Sequence, residues 1–107
     1  MTEKAEFKRR VCDWAEKLDA RVSSISLRSM TTKWASYSSA GRLTFDVSLL
    51  ELGEQLHDYV IVHELLHFRA PNHGKLWKSL MRAHLGDYEL LEKELRRLET
   101  RRRRQAR

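Results

Sequence analysis

The sequence predicts an α+β domain, and three observations carry that prediction. Apolar residues recur at helical spacing at the start of the chain, alternate with polar ones between residues 22 and 47, and return to helical spacing from Gly53 onward. The expected order is α-βββ-ααα: an N-terminal helix, a small three-stranded twisted sheet, then a central helix and two C-terminal helices. At 107 residues the chain suits one compact core, placed here at residues 1–100, with a basic tail at 101–107.

Each element follows from a local pattern. Phe7, Val11, Trp14 and Leu18 mark one face of an amphipathic helix over residues 3–20, and Cys12, just off that face, is expected to pack. Ile25 and Leu27 alternate with Ser24 and Ser26, which predicts a strand at about 22–29; a second is expected at Lys33–Tyr37. Ser38-Ser39-Ala40-Gly41 is a turn signal with Gly41 free to take a positive φ. Leu43, Phe45 and Val47 then alternate with Arg42, Thr44 and Asp46, giving the clearest strand, paired with its predecessor as a hairpin. Residues 55–69 are apolar almost all round and predict a buried helix that Pro71 stops. Asn72 is the expected N-cap of a helix through Trp77 and Met81, which Gly86 ends. A last helix from Asp87 shows Leu91, Leu95 and Leu98 on one face and should fray into the arginine run.

Composition excludes several classes. Apolar residues make up 41 % and charged residues 34 %, which fits neither a disordered chain nor a membrane protein. The longest apolar run is the four residues Tyr59–Val62, far short of the ~20 needed to span a bilayer. One cysteine rules out an internal disulfide. The opening MTEKAEFKRR is too polar for a signal peptide, which predicts a cytoplasmic location. The net charge of +6 is misleading, because Arg101–Arg104 and Arg107 supply five positive charges and residues 1–100 are close to neutral at +1.

Chemistry concentrates in the string HELLHFRAPNH, residues 63–73. His63 and His67 are four apart on the buried helix, so both imidazoles leave one face about 6 Å apart along the axis. Such a pair can hold one zinc ion at ~2.0–2.1 Å. Glu64 is rotated ~100° from His63 and suits a water on the metal better than the metal itself. His73, after a chain reversal at Pro71, is the expected third ligand. Three protein ligands leave one position open, the arrangement of catalytic rather than structural zinc. A bare H-E-x-x-H arises by chance, but a carboxylate buried among Val60, Ile61, Leu65 and Leu66 costs several kcal/mol unless it has a partner. His57 and His84 are expected at the surface or behind the ligands; Trp14, Trp34 and Trp77 fit core positions.

Four stretches taken together resemble the YgjP-like and SprT-like zinc metallopeptidases: Trp34–Gly41, Asp58–His67, Pro71–Gly74 with Trp77, and Asp87-Tyr88. They cover about residues 28–97. The small size is similar to the minigluzincins, minimal zincins. Ala35 and Tyr37 replace a glycine and a cysteine usual in the family, and Asp46 stands where asparagine is usual; these changes bear on cleft shape and substrate, not on the ligands.

The resemblance implies a zinc-dependent endopeptidase of peptide or protein substrates, with His63, His67 and His73 as ligands and Glu64 as general base. It further implies that an edge strand forms the rim of a cleft and pairs with an extended peptide; residues 42–47 are the candidate rim. Tyr88 is the candidate donor to the tetrahedral intermediate, and Asp87 a candidate partner of a ligand histidine. The C-terminal helix is a candidate blocker of the cleft or a self-association face. Two alternatives remain. A metal-dependent endoribonuclease shares the three-histidine spacing, although that class does not usually carry glutamate after the first histidine. A non-catalytic, DNA-associated zincin module would bind nucleic acid weakly through Arg101–Arg104.

Overall fold

The computed structural model describes residues 2–31, 33–68, 70 and 72–105. The chain opens with α1 (Glu3–Leu18), whose first turn is capped by Thr2 Oγ1 accepting from the amide of Ala5 at 3.1 Å. Phe7, Val11, Ala15 and Leu18 are its buried face. Three short strands follow: β1 (Ser24–Arg28), β2 (Ala35–Tyr37) and β3 (Arg42–Asp46). The predicted hairpin is present: β2 and β3 are antiparallel with Ala35 opposite Phe45, and Gly41 closes the turn at φ 82°. A Cβ on Gly41 would meet Arg21 O and Ser23 N at 3.1 Å each, so the position needs glycine for space as well as for φ.

The sheet order is β1-β3-β2, with β1 parallel to β3. This corrects the choice of rim strand. β3, the clearest strand in the sequence, is central and has both edges paired, so it cannot add a peptide. The hydrophobic pattern that made it legible, with Leu43 and Phe45 buried, is that of a strand at the centre of the core. β2 is an edge strand, and it packs against the central helix.

After a 3₁₀ helix (Val47–Glu51) comes α2 (Glu54–Leu65), with Leu56, Tyr59, Val60, Ile61, Val62 and Leu65 buried. It packs against α1, α3, α4 and β2. Asp58 fixes it to α1, since its Oδ1 accepts from Trp14 Nε1 and Arg10 Nη1, both at 2.9 Å. The Arg10 guanidinium pKa is raised, chiefly by that bond. α2 ends four residues earlier than predicted; Leu66–Phe68 form a 3₁₀ turn. α3 (Lys75–Leu85) begins after Gly74, so Asn72 is not its cap and His73 precedes the helix instead of opening it. α4 (Tyr88–Gln105) continues as helix through the arginine run, where a frayed tail was expected. Arginine is a good helix former, and Glu92–Arg96 and Glu94–Arg97 pairs support the preceding turns. The apolar stripe of α4 is covered within the chain: Leu95 is buried, and Leu91 and Leu98 pack on the core. Cys12 is exposed, not packed. Among the described residues no helix is long and apolar enough to cross a membrane.

Candidate metal centre

His63 comes from the last full turn of α2, His67 from the 3₁₀ turn after it, and His73 from the loop before α3. One ring nitrogen from each lies within 4.8 Å of the others. His67 Nε2 and His73 Nε2 are 3.2 Å apart. Two nitrogens on one tetrahedral ion at 2.0–2.1 Å are separated by about 3.3 Å, so this spacing already fits a shared metal. Among the described residues these three form the cluster of imidazole, thiol or carboxylate groups able to hold one. His63 Nδ1 faces Glu64 Oε2 at 2.9 Å, leaving Nε2 of that ring for the metal. Partial desolvation, then the neighbouring His63 and His67, lower the pKa of the exposed His73, which favours its neutral form.

The rings pack on one another and on Trp77. His73 lies parallel to the Trp77 indole (centroids 4.2 Å, 20°), and His63 meets it edge-on (5.2 Å, 83°). Tyr88 is buried and touches the far side of Trp77 edge-on at 5.8 Å. Burial is the main reason its hydroxyl pKa is raised.

A cleft of about 260 Å³ opens beside the histidines, below the ~300–1,000 Å³ usual for ligand pockets. His63, Glu64 and His73 form one part, Trp34 and Ala35 at the start of β2 another. The facing wall is α4, through Glu92, Leu95, Arg96 and Glu99. Tyr59 lines the cleft and Tyr88 does not. The Tyr59 hydroxyl donates to Glu92 Oε2 at 3.3 Å, and Arg96 pairs with Glu92 Oε1 at 3.2 Å. Desolvation, then Glu92, raise the Tyr59 pKa. A hollow of about 600 Å³ between α1 and α2 contains none of the three clustered histidines.

Sequence reasoning placed Arg102 in a solvated tail. Instead its guanidinium lies over the Trp34 ring at 4.3 Å, donates to Met30 O, and stands 3.5 Å from Asp46 Oδ2. Asp46 is 3 % exposed and also accepts from the amides of Met30 and Ser48. Its charge therefore has a cation across from it, and one arginine of the run is not available to nucleic acid. The wall residues 92, 95, 96 and 99 were legible in principle, since they share one helical face. Arg102 had no such signal, because its partners lie 56 to 72 residues away. Asp87 is exposed, and among the described residues its carboxylate pairs with Arg82 at 3.9 Å, not with a histidine of the cluster.

A mixed three-stranded sheet packed on a helix with one histidine in its last turn, a second on the 3₁₀ turn after it and a third returned by a loop defines a minimal α+β metallopeptidase scaffold. The YgjP-like metallopeptidase domain matches residues 2–98. The chain belongs to that family. Two solved structures are similar to it. The metallopeptidase zymogen jannalysin of Methanocaldococcus jannaschii aligns at TM-score 0.73 and 29 % identity, covering 88 % of this chain and 95 % of its own. The metallopeptidase zymogen abylysin of Pyrococcus abyssi aligns at 0.72 and 19 %, covering 83 % and 90 %. No curated protein matches the sequence.

Proposed function

We propose that the protein is a zinc-dependent endopeptidase with His63, His67 and His73 as ligands and Glu64 as general base. The observation that carries this reading is the convergence of three imidazoles at metal-binding distance, with Glu64 beside them in the same cleft. Bound zinc supplies a Lewis acid and a water acidified towards neutral pH. Glu64 takes the proton of the attacking water and returns it to the departing amine. An extended peptide adds to the free edge of β2, not to β3, which brings its backbone past Glu64. Tyr88 was the expected donor to the tetrahedral intermediate, but Tyr59 is the tyrosine that lines the cleft. Tyr59→Phe is accordingly expected to lower kcat, and Tyr88→Phe to act through stability.

The chain as folded is latent. α4 narrows the cleft along its length, and Arg102 clasps the end of that helix to Trp34 and Asp46, next to β2. The two structural neighbours were both solved as zymogens, which agrees with this reading.

The test is hydrolysis of unfolded protein substrates by zinc-loaded protein, wild type against Glu64→Gln and His73→Ala. Activity lost in both, with zinc lost only in the second, supports the assignment. RNA cleavage that survives Glu64→Gln, without peptide cleavage, points to the nuclease alternative.

A further inference from the structure

Three imidazoles from three different segments converge, and the rings around them set their orientation. His73 is the hardest case, because it is exposed and sits on a loop that no side-chain cap ties to α3. Its contacts are rings. Trp77 lies flat beneath it at 4.2 Å and 20°, and His67 lies nearly parallel on it at 4.9 Å and 22°. The same indole meets His63 edge-on at 5.2 Å and stands near-parallel to His67 at 6.5 Å. One side chain therefore faces all three histidines and sets two ring planes parallel and the third perpendicular.

Trp77 is itself rigid. It is 2 % exposed, set on α3, and backed edge-on by Tyr88. Its buried Nε1–H has no hydrogen-bond partner among the described residues. Ring contacts, not a hydrogen bond, hold the indole in place.

We infer that Trp77 is the positioning residue that orients the three histidines of the site. This rests on the three-histidine reading above. An aliphatic residue of similar volume would fill the core but offer no flat face to His73. Metal binding makes the imidazoles electron-poor, so their packing on an electron-rich indole face strengthens on loading. Outer-shell partners that orient metal ligands typically change metal affinity 10–100-fold when removed.

The experiment compares wild type with Trp77→Phe and Trp77→Leu. Zinc affinity is measured by competition with a chromophoric chelator, the visible spectrum is recorded with Co²⁺, and thermal unfolding is followed in the metal-free state. Trp77→Leu should bind zinc about 10–100-fold more weakly, with a changed cobalt spectrum, and Trp77→Phe should recover part of the affinity and most of the spectrum. A role confined to packing would lower the metal-free melting temperature and leave affinity and spectrum of the folded variants as in wild type; that result overturns the inference. Should Trp77→Leu fail to fold, Trp77→Phe decides alone: wild-type affinity and spectrum in it also overturn the inference. A wild-type chain that takes up no zinc would instead remove the metal reading itself.

Discussion

A carboxylate only 14 % exposed at the end of an apolar helix needs a partner, and Glu64 has one in His63 Nδ1 at 2.9 Å. That bond does two things: it holds the His63 ring with Nε2 free for a metal, and it fixes the carboxylate beside the cleft. The two functions separate under mutation. Glutamine keeps an acceptor oxygen for Nδ1–H but cannot take up a proton. Glu64→Gln should therefore retain zinc while peptidase activity falls about 10²–10⁴-fold. Glu64→Ala loses the acceptor as well and should also weaken zinc, by about tenfold or more. Equal zinc affinity in both variants would show that the Glu64–His63 bond does not orient the ligand. This cluster was legible in the sequence because helical geometry is local: the four-residue spacing fixes where His63 and His67 stand. His73 needed one further step, a reversal that a short proline-containing loop permits. Trp77 is in the core as expected, but its contact with the histidines was not legible, and Arg102 was misplaced in a tail, for the same reason. Each takes its role from partners in other elements, and composition assigns an isolated tryptophan to the core and an arginine run to solvent.

At the scale of elements, helices and strands were both located, and what the sequence left open was the order of the strands. Amphipathic spacing located α1 and α4, and the apolar run located α2, to within a few residues, because periodicity is written along the chain. Strand order is not written there. Leu43 and Phe45 announce a strand with a buried face but say nothing of its neighbours, and β3 proved to lie between β1 and β2. The consequence is functional, since the free edge beside the cleft belongs to β2. α4 shows the opposite case. Leu91, Leu95 and Leu98 pack on the core, while Glu92, Arg96 and Glu99 line the cleft together with Leu95. One helix thus both completes the core and restricts the site, so removing all of it would confound release with unfolding. Ending the chain after Arg97 keeps Leu91 and Leu95 and removes the Arg102 clasp. That truncation, and Arg102→Ala in the full chain, should each raise hydrolysis of unfolded protein several-fold with zinc content unchanged. A folded truncated protein with unaltered activity would refute latency through α4.

For the whole molecule the question is whether the fold depends on the metal or only receives it. The core does not run through the histidines. Phe45 packs edge-on against Phe7 at 5.0 Å, Asp58 ties α2 to α1, and Leu43, Leu49, Ile61, Val62 and Met81 are fully buried. Packing of this kind sustains a domain of about 100 residues without a staple. The metal would join the end of α2 to the loop before α3, two segments already in contact. The metal-free protein should therefore stay folded at 25 °C, unlike small zinc domains that unfold on chelation. Binding still adds stability by mass action. At zinc a hundredfold above its Kd the gain is about 2.7 kcal/mol. For a domain of this length that corresponds to a rise in Tm of roughly 10–20 °C. Protons compete for the same nitrogens, so the rise should shrink as pH falls, and the lowered His73 pKa sets its share of that loss below the ordinary histidine range. His73→Ala should keep the metal-free melting temperature close to that of wild type and lose most of the increment. Calorimetry with chelator and with excess zinc, at pH 7.5 and pH 5.5, measures all three quantities. Outright unfolding by chelator at 25 °C would make the metal a structural staple. An increment that survives in His73→Ala would remove that residue from the ligand set.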